Sequence, residues 1–194
     1  GDESYTYNGF VTDRTESTDP TVPAGVLALN PPGIQVNAQI AAILAYGFIG
    51  NGVPYLGEVP RTVDNPLTAV DEDNDAMMDR DIDASAIPMV GPLFGSLDIG
   101  SGGGDVILRL REGVERFLIT DINNPAGSAK AQSVVPVTFD TLASGVAEDA
   151  ISLYNHIPGG ANVLYMDGHA EFVRYPGKFP AHETYANLTS FFAE

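Results

Sequence analysis

The sequence predicts a domain that mixes helices with antiparallel strands. Three observations carry this reading. Glycine (21 residues) and proline (14) are plentiful, which favours turns and long ordered loops over a helical bundle. Residues 162–175 read as two strands around an Asp167-Gly168 turn. Residues 36–48 and 182–193 space their apolar side chains at the helical period. The 194 residues suit one domain, 1–194, large enough to bury a core without staples.

In chain order, Tyr5, Tyr7, Phe10 and Val11 alternate around Thr6 and Asn8 as a short strand. Pro20, Pro23, Pro31 and Pro32 then break regular structure. Val36, Ile40, Ile43 and Leu44 share a helical face, and Gly50 and Gly52 end that helix. Residues 49–104 form a long acidic and glycine-rich excursion, which closes on Ser101-Gly102-Gly103-Gly104, expected to be a flexible linker. Val106, Leu110, Val114, Phe117 and Leu118 fit a helix over 108–119, with Glu112 and Arg116 at ion-pair spacing and Asn123-Asn124-Pro125 closing it. Val134–Phe139 reads as a strand and 146–155 as a short helix. In the hairpin, Asp167 and Gly168 suit a two-residue turn with positive φ at both positions. Val163, Tyr165, Ala170, Phe172 and Tyr175 are then its packing residues. His182 opens the last helix, whose apolar face is Tyr185, Leu188, Phe191 and Phe192.

Charge and composition exclude several functions. With 26 acidic and 9 basic residues, the net charge is −17, which repels phosphate backbones and anionic lipid headgroups. No nucleic-acid partner is expected. The absence of cysteine removes disulfides, thiolate metal sites and thiol catalysis. No apolar run approaches the length of a membrane span, and Gly1-Asp2-Glu3-Ser4 is not a signal peptide. Any targeting segment is therefore expected to have been removed from the chain, or to lie outside it.

His156-Ile-Pro-Gly-Gly-Ala-Asn-Val-Leu-Tyr-Met-Asp-Gly168 resembles the C-terminal signature of a family of bacterial pilin-like proteins, which includes type II secretion pseudopilins. Residues 110–125 and Ser4-Tyr-Thr-Tyr-Asn-Gly-Phe10 look like the same family. Ten residues separate His156 from Asp167, one more than the family's usual spacer, and Ile157 is the addition. The resemblance implies an α+β, pilin-like head in which a helix packs on an antiparallel sheet. It also implies a long hydrophobic N-terminal helix before the head, which this chain lacks, so any membrane contact would run through that absent helix. A non-enzymatic role follows, in assembly with other pilin-like subunits or secretion-system proteins. The expected location is periplasmic or extracellular, at the cell envelope or in a filament. A secreted module binding glycans or a surface layer is the alternative, and a metal-dependent hydrolase is the third reading.

The acidic run is the sharpest chemical candidate. Asp71, Asp73, Asp75, Asp79, Asp81 and Asp83 offer hard oxygen ligands of the kind calcium takes. The run is not an EF-hand, because Ala76 stands where the loop needs glycine and Ile82 where it needs glutamate. A solvated acidic stretch is the plainer reading. Pseudopilin heads of the family hold calcium, which adds weight to calcium here without selecting these residues. Asp121, Asn123 and Asn124 suit a cation or a turn cap. His156, Asp167 and His169 suit zinc or hydrolysis, set against a turn aspartate and a loop histidine. No Gly-x-Ser-x-Gly elbow occurs, and residues 100–104 lack the Lys-Ser/Thr of a phosphate loop. Tyr5, Tyr7, Phe10, Tyr46, Phe48 and Tyr55 serve either as core or as a carbohydrate face.

Overall fold

The computed structural model describes residues 5–7, 9–27, 33–49, 80–87, 89–118, 132–143, 153–154 and 159–189. Strand β1 (Tyr5–Thr6) leads into an irregular arm, and β2 (Thr21–Pro23) then pairs antiparallel with β3 (Gln35–Asn37). Helix α1 spans Ala38–Ile49. It starts two residues later than the apolar spacing predicts, because Val36 is spent pairing with Val22. Asn37 caps it, its Oδ1 accepting the Ile40 N–H at 3.0 Å. Residues 38–43 and Ala45 are all buried, so α1 is a core helix and not a surface helix with one apolar stripe.

Next come β4 (Ile82–Asp83), the one-turn helix α2 (Gly91–Phe94) and β5 (Val106–Ile107), which pairs antiparallel with β4. The remaining elements are β6 (Pro136–Asp140), β7 (Leu142–Ala143), β8 (Leu153–Tyr154), β9 (Gly160–Tyr165), β10 (Ala170–Arg174) and helix α3 (Glu183–Thr189). The fold is therefore α+β. Its main sheet is antiparallel with strand order β1-β6-β9-β10, and β7 pairs with β8 beside it. Among the described residues no helix is long and apolar enough to cross a membrane.

Several expectations need correction. Residues 108–119 do not form one helix. Leu110 donates to the Gly9 carbonyl and Val11 to that of Leu108, so this stretch pairs as extended chain with the N-terminal arm. Gly113 then turns left-handed (φ 77°), and a single 3₁₀ turn follows at Val114–Phe117. The apolar spacing instead serves a small cluster of Val11, Val114 and Val135 with Leu108, Leu110, Leu118 and Met166 around it. The expected strand at Val134 starts at Pro136. Leu153 and Tyr154, expected to be helical, are strand, and residues 146–152 lie outside the described residues.

The glycine-rich run is not a flexible linker. Ser101–Gly103 make a 3₁₀ turn in which the Ser101 hydroxyl is buried and accepts the Leu108 N–H at 3.0 Å. A Cβ on Gly100 would lie 1.9 Å from the Gly104 carbonyl oxygen, so the backbone there is packed against itself.

The hairpin forms where the sequence places it, but its loop has three residues. Gly168 donates to the Tyr165 carbonyl and Tyr165 to that of His169, each at 2.9 Å. Gly168 alone is left-handed (φ 87°), the geometry of a turn that ends in a bulge glycine. The extra loop residue moves the register by one. Val163 faces Glu171 and Ala161 faces Val173, so Val173 is the buried residue of β10, while Ala170 and Phe172 turn outward.

One apolar core joins the inner sheet face, α1, α3 and the β4–β5 region. Phe139, Phe179 and Tyr185 meet edge to face, with ring centroids 5.0–5.6 Å apart, and Leu188 is buried beside them. Burial pushes the Tyr185 phenol far above its ordinary range. His182 does open α3: its Nδ1 accepts the Tyr185 N–H at 3.4 Å and its carbonyl accepts that of Ala186. Phe191 and Phe192 lie outside the described residues.

Candidate functional site

The two faces of the main sheet differ. Phe139, Val163, Tyr165 and Val173 are sealed inside by the C-terminal segment. On the opposite face Leu164 is 39 % exposed and Phe172 is 41 % exposed. Leu164 is registered between Thr138 and Ala170, and Phe172 lies across from Asn162. Beside them the buried Asp140 Oδ2 accepts from the backbone N–H and Nδ2 of Asn162, at 2.7 and 2.9 Å, which ties β6 to β9. At the sheet's edge Tyr5 and Tyr7 are 68 % and 59 % exposed. Phe10 is core and meets Tyr46 edge to face at 6.3 Å, while Tyr55 lies outside the described residues. The early aromatics thus divide between core and surface.

The hairpin tip gathers the polar side chains that suggested a hydrolase or zinc. His169 Nδ1 stands 2.5 Å from Asp167 Oδ1, which also accepts the His169 N–H at 3.1 Å. These bonds, the backbone one foremost, hold the Asp167 carboxyl below its usual range. The imidazole stacks on Tyr165, with centroids 4.5 Å apart and planes 8° from parallel. Lys178 Nζ lies 5.2 Å from the Tyr165 ring centroid and bonds Glu171 at 2.6 Å. Among the described residues the buried Tyr165 hydroxyl has no hydrogen bond of normal geometry, and burial raises its pKa. The Asp167–His169 bonds hold the turn, which is what a turn aspartate does structurally, and Lys178 ties the segment after β10 back onto the hairpin. His156 lies outside the described residues, as do Asp121, Asn123 and Asn124.

Of the acidic run, Asp71, Asp73, Asp75 and Asp79 lie outside the described residues. The carboxylates of Asp81 and Asp83 have other partners. Asp81 Oδ1 accepts the Arg109 N–H at 2.9 Å, and its Oδ2 lies 3.5 Å from the Arg111 guanidinium. Asp83 Oδ1 accepts from the Ser85 N–H and hydroxyl, at 3.0 and 2.6 Å, and caps a 3₁₀ turn. Those bonds lower its pKa, the hydroxyl's most of all. The Arg111 guanidinium competes with a cation for Asp81, whereas the cap engages Asp83 through Oδ1. Among the described residues no three of His, Cys, Asp and Glu come together as a metal centre.

A polar knot that the sequence reading missed lies between the N-terminal arm, α1 and the glycine-rich turn. Buried Gln39 donates to Asp13 Oδ1 at 3.1 Å and to the Ile99 carbonyl at 2.9 Å, and accepts the Arg14 N–H at 3.0 Å. Asp13 Oδ2 accepts the Gly102 N–H at 2.7 Å. Burial raises the Asp13 pKa despite these donors. A glutamine inside the apolar run of α1 was its one sequence signal. Comparison with protein-family models, curated proteins and solved structures finds no match to this chain.

Proposed function

We propose that this chain is a pilin-like or pseudopilin-type head that acts without catalysis, by protein–protein assembly. The proposed setting is the cell envelope or an extracellular filament. Its proposed partners are other pilin-like subunits or secretion-system proteins, in the periplasm or outside the cell. The supporting observation is the outer sheet face, where Leu164 and Phe172 sit half-exposed, while Phe139, Val163, Tyr165 and Val173 on the other face are buried. Apolar side chains paired on a rigid sheet suit a contact surface. The motif around Asp167-Gly168 builds the hairpin that presents them. Asp167 and His169 at the hairpin tip are engaged in holding the turn, which favours this reading over a hydrolase.

The test is a photo-crosslinking residue at Leu164 in producing cells. Discrete protein adducts are expected; an absence of protein adducts in a folded, exported chain would overturn the reading. A glycan- or surface-layer-binding module is the second reading, and exposed Tyr5 and Tyr7 favour it. Loss of glycan capture in Tyr5→Ala or Tyr7→Ala would turn the assignment that way. Calcium enters the proposal through Asp71, Asp73, Asp75, Asp79, Asp81 and Asp83, the last two already bonded to Arg109, Arg111 and Ser85. It predicts a higher melting temperature in calcium than in chelator, and equal values remove it.

A further inference from the structure

An exposed arginine stands among the apolar side chains of the outer sheet face. Val173 is buried, so by alternation Phe172 and Arg174 both point to the opposite face, two strand residues and roughly 7 Å apart. The Phe172 ring reaches across to β9. A Cβ on Gly160 would stand 2.8 Å from the Phe172 Cζ and 3.1 Å from the Arg174 Cα, so the end of the ring and the root of the arginine side chain lie beside the same glycine. Around them Thr138, Asn162, Leu164 and Ala170 are uncharged, and Asp140 is buried and accepts from Asn162. Glu171 pairs with the buried Val163, so it belongs to the other face, where it bonds Lys178 at 2.6 Å. The chain has 26 acidic residues, yet among the described residues Arg174 has no carboxylate partner.

Desolvation decides what can cover this face. A protein seated on Leu164 and Phe172 also takes water from Arg174, whose backbone stands beside the end of the Phe172 ring. A guanidinium that loses water without gaining an acceptor opposes binding, whereas a carboxylate meets its forked donors in two parallel hydrogen bonds. The partner must therefore bring its own acid. A second copy laid face to face does not bring one, because Arg174 is the exposed charge among the described strand residues of this face. We propose that the Leu164–Phe172–Arg174 surface docks a segment of a different protein that sets a carboxylate roughly 6–7 Å from an apolar side chain, as at positions i and i+2 of a strand or i and i+4 of a helix. The apolar side chain covers Phe172 and Leu164, and the carboxylate pairs with Arg174. A chain of charge −17 repels acidic proteins at long range, so the contact selects a partner that matches both features. The proposal rests on the assembly reading and adds to it the chemistry of the partner.

The test places a photo-crosslinking residue at Leu164 in producing cells, in the wild-type background and with Arg174→Glu or Arg174→Gln, each variant checked for unchanged circular dichroism. The adduct is expected on another protein, and its mapped segment should carry Asp or Glu within about four residues of the crosslink. Its yield should fall at least about tenfold in Arg174→Glu, and exchanging that acid for lysine in the partner should restore it. Should Arg174→Glu fail to fold, Arg174→Gln carries the same comparison. Equal yield in wild type and the folded variants overturns the acidic-partner proposal and leaves the assembly reading standing, as does a crosslinked segment without an acid. An adduct to a second copy of this chain overturns it too. An absence of protein adducts in the wild-type background overturns the assembly reading itself, and this proposal with it.

Discussion

Asp13 illustrates how one carboxylate can fasten three segments and still be uneasy in its site. It accepts from Gln39 and Gly102, yet burial outweighs both and raises its pKa above 3.8. The native state then holds its proton to higher pH than the unfolded chain does, so this group's contribution to stability falls as pH rises through that window. Asp83 and Asp167 act in the opposite sense. Their lowered pKa values favour the fold above 3.8, and that contribution is lost as pH falls through their folded values. Urea melts from about pH 4 to 7 should show wild type losing stability relative to Asp13→Asn as pH rises. A constant difference would mean that Asp13 titrates normally. Gly100→Ala, which forces a Cβ to 1.9 Å from the Gly104 oxygen, should cost at least about 2 kcal/mol in the same melts. A neutral effect would return the run to being a linker.

Among elements, the β9–β10 hairpin shows what a sequence discloses and what it withholds. The Asp-Gly pair between apolar strands announces a hairpin, and one forms. It does not decide between a two-residue loop with both central residues at positive φ and a three-residue loop with a bulge glycine. That choice sets the register, and a slip of one residue exchanges the faces. Val173→Ser should therefore cost about 2–3 kcal/mol and Phe172→Ser clearly less, measured by chemical denaturation. The reverse order would restore the two-residue turn. The same ambiguity explains residues 108–119. Their apolar spacing fits a helix, but Gly113 turns left-handed and the preceding residues pair with the arm. Helix α1 was legible because nothing contradicts its period; its start moved where Val36 found a strand partner, and its end by one residue to Ile49. The Asp13–Gln39 knot was not legible, since it joins residues that only the tertiary fold brings together.

Across the whole molecule, α1, α3 and the sheet share the main apolar core and support one another, leaving the outer sheet face for other work. The family resemblance supplies an expectation of assembly, and that half-exposed face is the place on the fold that suits it. The most direct measurement is Leu164→Asp in producing cells, with native complexes resolved alongside wild type. The account predicts a variant that folds, accumulates as wild type does and drops out of high-mass complexes. A variant that folds and still enters those complexes in wild-type proportion would contradict it.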